Sequence, residues 1–235
     1  VPTTLLAMVD SAIGGKTGIN LPAGKNLVGA FWQPRGVIAD IDTLDTLPPR
    51  EFTSGLAEVV KYGMILDAGF FAWLEDQTAA ILAREPAAIG EAVYRSATLK
   101  ARVVEQDERE TSGLRAALNY GHTFGHAYET AAGYGILLHG EAVAIGMARA
   151  ARLAALLGRI DQDVVSRQDA LLIRLGLPIN LPAGAESNDA ELIAIMARDK
   201  KSVDGHLRFV LPDRIGRVEL VDGIDRTMVR QALAR

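Results

Sequence analysis

The chain has 235 residues, is 49% hydrophobic and contains no cysteine, so it carries enough apolar material for a globular core and excludes disulfides and every thiolate metal site. Its 25 basic and 29 acidic residues leave a net charge of -4 without a basic patch, which argues against nucleic acid and anionic membrane surfaces as partners. The most apolar stretch, 142–157, is interrupted by Arg149 and Arg152 and falls short of the ~20 uninterrupted apolar residues that a membrane span needs.

Residues 1–49 are rich in glycine and turn signals, and the apolar runs 5–9 and 36–41 predict strands or buried edges, the tail of an α/β domain. The chain opens on Val1, and residues 1–7 lack the basic flank and cleavage signal of a secretory leader, so it is read as a fragment that begins within a domain. The segment Asp10-Ser11-Ala12-Ile13-Gly14-Gly15-Lys16-Thr17-Gly18 combines glycines with a lysine, and Gly24-Lys25 repeats the pair. Glycine lets backbone approach an anion closely and lysine supplies a point charge, which favours anion binding over a plain turn. The phosphate loop of nucleoside triphosphatases is not matched, because Asp10 and Ile19 stand where the two pairs would each need a glycine.

Pro48-Pro49 punctuates the chain and marks the expected domain boundary, 1–49 against 50–235. After it, Leu56, Val59, Val60 and Met64 recur at helical spacing over 51–66. Further helices are predicted over 70–75, 86–107, 118–131, 141–157, 163–175 and 189–198, a hairpin over 206–211 and 217–221 around Pro212 and Gly216, and a last helix over 225–233. The second domain is therefore expected to be mostly α-helical.

Two sets of residues within it carry chemistry. His122 and His126 are four apart on one helix face, and His139 follows just before Gly140-Glu141, so three of the four histidines cluster in sequence. A catalytic zinc takes about three protein ligands and keeps a position open, and without cysteine a carboxylate must complete the set. Glu58 is the internal candidate, between Ala57 and Val59 and three residues before Lys61, although a surface Glu58–Lys61 ion pair is an equally ordinary reading. Spacing leaves open which two histidines join it. The cations Lys61, Lys100, Arg115 and Lys200 are each ordinary on a surface. Converging, they would hold a phosphate and a carboxylate through charge-assisted hydrogen bonds worth about 1.5–3 kcal/mol each.

The blocks Pro2-Thr3-Thr4-Leu5-Leu6-Ala7-Met8-Val9-Asp10, Gly14-Gly15-Lys16-Thr17 and Gly24-Lys25-Asn26 strongly resemble the 3-dehydroquinate synthase family. Glu58-Val59-Val60-Lys61, Asp107-Glu108-Arg109-Glu110, Asn119-Tyr120-Gly121-His122-Thr123-Phe124-Gly125-His126, His139-Gly140-Glu141 and Arg198-Asp199-Lys200-Lys201 continue that resemblance in order over nearly the whole chain. It implies an α/β nucleotide-binding domain remnant followed by a mostly α-helical metal- and substrate-binding domain. It also implies zinc, or cobalt in its place, on Glu58, His122 and His139. Asp10, Lys16, Asn26, Lys61, Lys100, Arg115, Asn119, His126 and Lys200 would surround the substrate. NAD would be contacted by Thr3, Thr4, Asp10, Lys16, Lys25 and the run Thr43, Leu44, Asp45, Thr46. The segment leading to Arg115 is one residue longer than the family pattern, while Arg115 and Asn119 keep a four-residue spacing that would share a helix face.

The activity so implied is the conversion of a phosphorylated sugar acid to a carbocycle and phosphate, by a cytoplasmic homodimer of the shikimate pathway. No dinucleotide fingerprint occurs in these residues, so they are expected to bind NAD weakly and to turn over little by themselves. The alternatives are a cyclase making an inosose or valiolone, a metal-dependent alcohol dehydrogenase, or, outside enzymes, a noncatalytic helical interaction module.

Overall fold

In a computed structural model the described residues are 1–21, 24–108, 113–133, 135–182, 188–198 and 207–234, the side chains of 20, 21 and 24–27 excepted. The opening segment departs most from expectation. Residues 5–9 wind into a helical turn that ends as a π-helix over Ala7–Ser11, with Met8 and Val9 buried. A continuous apolar run fits either period, and here Leu5, Met8 and Val9 use the helical one to face the core. The strands lie instead in the glycine-lysine segment, where β1 (Lys16–Leu21) pairs antiparallel with β2 (Gly24–Phe31) and Lys16 stands opposite Phe31. Residues 36–40 form no strand; they run irregular and exposed into a 3-10 turn over Ile41–Thr46, where Asp40 accepts from the Asp42 amide at 3.1 Å.

Helix α1 (Pro49–Leu66) starts where proline chemistry directs it, Pro48 being extended and Pro49 having no amide hydrogen to leave unpaired. Helix α2 (Ala68–Leu82) follows, capped by Asp67, whose side chain accepts from the Phe70 amide at 2.8 Å. It outruns the predicted 70–75 because Phe70, Phe71, Leu74, Thr78 and Ile81 continue one buried stripe. After α3 (Pro86–Gln106), the predicted helix over 118–131 does not form in one piece. A 3-10 turn over Leu114–Asn119 stops short of Gly121, whose φ of 78° interrupts it, and α4 (His122–Ala132) starts afresh.

Helices α5 (His139–Leu156), α6 (Gln162–Arg174) and α7 (Asp189–Arg198) fall where the periodicity puts them. The predicted hairpin forms as antiparallel β3 (Phe209–Arg214) and β4 (Arg217–Val221), with Pro212 inside β3 opposite Val218 rather than in the turn. Helix α8 (Arg226–Leu233) closes the chain, capped by Asp225 on the Thr227 amide at 2.6 Å. Among the described residues no helix is long and apolar enough to cross a membrane.

Helix α5 sits at the centre, buried from Gly140 through Ala151 apart from Glu141, and its alanines let α1 and α4 come close. The nearest approach is at Gly140, where a Cβ would stand 1.8 Å from the Ser54 carbonyl oxygen and whose amide donates to Ser54 Oγ at 3.0 Å. Arg50, from the start of α1, grips both Glu141 carboxylate oxygens at 2.7 and 2.8 Å, while Glu141 accepts from the Leu138 amide at 2.8 Å. The start of α5 is thus pinned onto α1. Gly140→Ala is expected to push the two helices apart and cost about 3 kcal/mol of stability, which urea denaturation against wild type will measure.

Candidate active site

Glu58 and Lys61 project from the middle of α1 into the interior, at 0% and 2% exposure, and the Lys61 ammonium pairs with Glu58 Oε2. The pair is buried, not a surface pair. Glu58 Oε1 faces two imidazoles, His122 Nε2 from the first residue of α4 at 3.6 Å and His139 Nε2 from the first residue of α5 at 3.5 Å. Those separations exceed a good hydrogen bond, and neither Glu58 oxygen makes one of acceptable geometry among the described residues. They suit ligands of one divalent ion, since metal bonds of about 2.0–2.2 Å at tetrahedral angles put ligand atoms about 3.4 Å apart.

The protonation state of His122 agrees with that use. His122 Nδ1 lies 3.1 Å from the Tyr120 carbonyl oxygen. A carbonyl only accepts, so Nδ1 carries the hydrogen and Nε2 turns its lone pair toward Glu58. Burial, then the Lys61 charge, hold His122 well below the ordinary imidazole pKa, so the ring is neutral as a metal ligand must be. Burial pushes the Glu58 carboxyl up, but Lys61, the contact with His139 and the imidazole charges together outweigh it and keep it well below the ordinary carboxylate range. For His139 burial acts downward, yet contact with Glu58 prevails and raises it.

His126 stands beside this trio, its ring centroid 5.3 Å from that of His122 and 6.3 Å from that of His139. With Glu129 and His139 it makes a second group whose ligand-type atoms lie within 4.8 Å of one another. Sequence reasoning passed over Glu129, although its place three residues after His126 on the same helix was a legible signal.

One residue beyond Lys61, Tyr62 joins this cluster to a cavity. Its hydroxyl donates to Asp10 Oδ1 at 2.8 Å, and Asp10 lines a cavity of about 580 Å³ together with Lys16, Lys100 and Arg115. Lys100, 6% exposed on α3, donates to the Asp10 carbonyl at 2.5 Å and to Oδ1 at 2.8 Å. Burial draws the Lys100 pKa down, and the Asp10 charge offsets this only in part. Arg115 is also buried; its Nη1 donates to the Glu108 carbonyl at 2.9 Å, and its guanidinium packs on Gly14, where a Cβ would stand 2.9 Å from Nη2.

The remaining candidates are more dispersed. Asn119 lines a separate cavity of about 210 Å³ with Thr123 and Arg208, because in a 3-10 turn of three residues per turn positions four apart point about 120° from one another. The shared helix face expected for Arg115 and Asn119 is therefore absent. Thr3 is exposed, and Thr4 caps the opening turn by accepting from the Ala7 amide at 3.2 Å. Thr43 donates to the Asp40 carbonyl at 2.7 Å and Thr46 to the Thr43 carbonyl at 3.2 Å, while Asp45 is exposed. Leu44 is buried in the core, its carbonyl accepting from Arg84 at 2.5 Å. Of the expected NAD contacts, Asp10 and Lys16 line the larger cavity. Lys25 and Asn26 lie on β2, and their side chains, like Lys200 as a whole, fall outside what is described.

The models for the 3-dehydroquinate synthase N-terminal and C-terminal regions match residues 1–54 and 55–202. The chain belongs to the 3-dehydroquinate synthase family. It is 53% identical over 233 residues to the 3-dehydroquinate synthase of Rhodopirellula baltica and 54% identical over 233 residues to that of Laribacter hongkongensis. These alignments take in 99% of this chain but 61% and 63% of the relatives, so it spans less than two thirds of their length.

Among solved structures, 2-epi-5-epi-valiolone synthase from Streptomyces hygroscopicus subsp. jinggangensis, with NAD+ and Zn2+ bound, is similar with a TM-score of 0.89 at 31% identity, over 99% of this chain and 64% of that one. A 2-deoxy-scyllo-inosose synthase complexed with carbaglucose-6-phosphate, NAD+ and Co2+ has a TM-score of 0.86 at 30% identity, over 99% and 65%. This member of the 3-dehydroquinate synthase family shares its fold with those cyclases.

Proposed function

We propose that this chain carries the metal centre and substrate pocket of a 3-dehydroquinate synthase, a lyase of the shikimate pathway and of aromatic amino acid biosynthesis. The reaction converts 3-deoxy-arabino-heptulosonate 7-phosphate to 3-dehydroquinate and phosphate. It proceeds by transient oxidation of a ring hydroxyl, phosphate elimination, reduction at the same carbon and intramolecular aldol closure, with no net redox change. One observation carries the reading: a Glu58–His122–His139 trio around a buried carboxylate lies on the helix whose Tyr62 bonds Asp10, at a cavity lined by Lys16, Lys100 and Arg115. We further infer that residues 1–49 end an NAD-binding α/β domain, that 50–235 form the zinc and substrate domain, and that the enzyme is a cytoplasmic homodimer.

Glu58, His122 and His139 would hold zinc, or cobalt in its place, with Thr3, Thr4, Lys16, Lys25 and 43–46 toward NAD; when bound, the metal polarises hydroxyl oxygen and NAD takes and returns a hydride. The chain's own side chains do the rest. Lys16, Lys100 and Arg115, joined by Lys200 and Asn26, hold the phosphate and carboxylate ends, which confines the flexible sugar acid to a reactive geometry. Lys61 keeps Glu58 ionised inside the protein. His126, beside the trio, serves the substrate's hydroxyls. Asp10, acceptor-only when ionised, takes a hydrogen bond from a ring hydroxyl.

The test is an assay of the full-length gene product on the heptulosonate phosphate and on a neutral sugar phosphate. Phosphate release with 3-dehydroquinate formation from the sugar acid alone, and no net NADH, is the expected result. Preference for the neutral sugar phosphate would point to an inosose- or valiolone-forming cyclase, and accumulating NADH to an alcohol dehydrogenase.

A further inference from the structure

Glu58, Lys61 and Tyr62 stand at positions i, i+3 and i+4 of α1 and so share a face, two of them at the metal trio and the third at Asp10. Tyr62 is fully buried, and its hydroxyl reaches Asp10 Oδ1 at 2.8 Å. Lys100 Nζ reaches the same oxygen at 2.8 Å from a different helix, α3. Two donors therefore converge on Oδ1. Oδ2 has no partner among the described residues, and the Asp10 side chain, 26% exposed, opens onto the 580 Å³ cavity.

A carboxylate turns easily about its last torsion, which has broad minima, so one flexible lysine alone would leave its plane poorly set. A rigid phenol fixed in a helix packed on the core removes that freedom. Burial, followed by the charges of Asp10 and Glu58, raises the Tyr62 pKa well above its ordinary value, so the phenol remains a hydrogen-bond donor throughout the neutral range. Its place between the trio and the cavity ties the orientation of Asp10 to the same helix that presents Glu58.

We propose that Tyr62 is a positioning residue that locks Asp10 through Oδ1, so that Oδ2 is presented to the cavity as the acceptor for a hydroxyl of the bound sugar-acid ring. The inference rests on the cyclase reading and adds to it a residue that acts through Asp10 rather than on substrate.

The test uses Tyr62→Phe, which keeps the ring and removes the donor, in the full-length gene product. Losing a hydrogen bond to a charged group is expected to lower kcat about tenfold to a hundredfold and to change KM for the heptulosonate phosphate by less than about threefold. Zinc content and melting curve should match wild type. Asp10→Asn and the double variant complete a cycle: because Tyr62 works through Asp10, the double variant is expected to be within about twofold of Asp10→Asn alone. A wild-type kcat in Tyr62→Phe, losses that multiply in the double variant, or a variant that unfolds or sheds zinc would each overturn the positioning role. Wild-type protein inactive on the sugar acid would instead overturn the cyclase reading on which it rests.

Discussion

Replacing Glu58 with Gln is expected to leave the purified protein without bound zinc and to lower its stability by about 3 kcal/mol. The substitution conserves volume, so no cavity contributes. What changes is charge. Lys61, at 2% exposure, loses the carboxylate it pairs with, and an unpaired buried ammonium costs far more than the intact pair contributes. The amide also replaces an anionic oxygen with a neutral, weaker ligand or with a donor that faces Lys61. Elemental analysis and urea denaturation of wild type and variant will measure both effects. Undiminished zinc in the variant would remove Glu58 from the ligand set and leave His126, Glu129 and His139 as the metal site.

The second large effect is expected at Lys100. Lys100→Met keeps the aliphatic length in a place only 6% exposed, so the core should stay filled, yet kcat should fall about a hundredfold to a thousandfold. Two interactions vanish together: the cavity loses a cation, and Asp10 loses a donor to both its carbonyl and Oδ1. The pH dependence has a definite sign. Burial sets the Lys100 pKa below the 10.5 of a free lysine, the Asp10 charge compensating only in part. A protonated Lys100 is needed, so activity is complete below that pKa and lost as pH rises through it. Steady-state kinetics across the alkaline range should show this limb in wild type and not in the residual activity of the variant. Unchanged turnover in Lys100→Met would remove the residue from the substrate pocket.

How much of this was legible follows the range of the signals. Helices α1, α3, α5, α6 and α7 are written in apolar periodicity and in proline, glycine and charged end residues, all read within a turn or two. The run at Leu5, Met8 and Val9 was misread because unbroken apolarity has no period, and the core selected helix over strand. Lys61, Lys100 and Arg115 looked like surface cations for the same reason, since local sequence carries no record of what covers a side chain. Tyr62 raised no signal at all beside its apolar neighbours, because its partner Asp10 lies 52 residues away.

By itself the sequence determined most of the helices after Pro49, the exclusion of thiolate ligands and a cluster of three histidines that a carboxylate must complete as a metal set. The tertiary structure decided that His122 and His139 face Glu58, that the Glu58–Lys61 pair is buried, and that Tyr62 and Lys100 meet on one oxygen of Asp10. The physical reason is that these outcomes depend on distances between helices. Those distances are set by close contacts such as Gly140 against Ser54, 86 residues apart in the chain, and not by the local pattern of either partner.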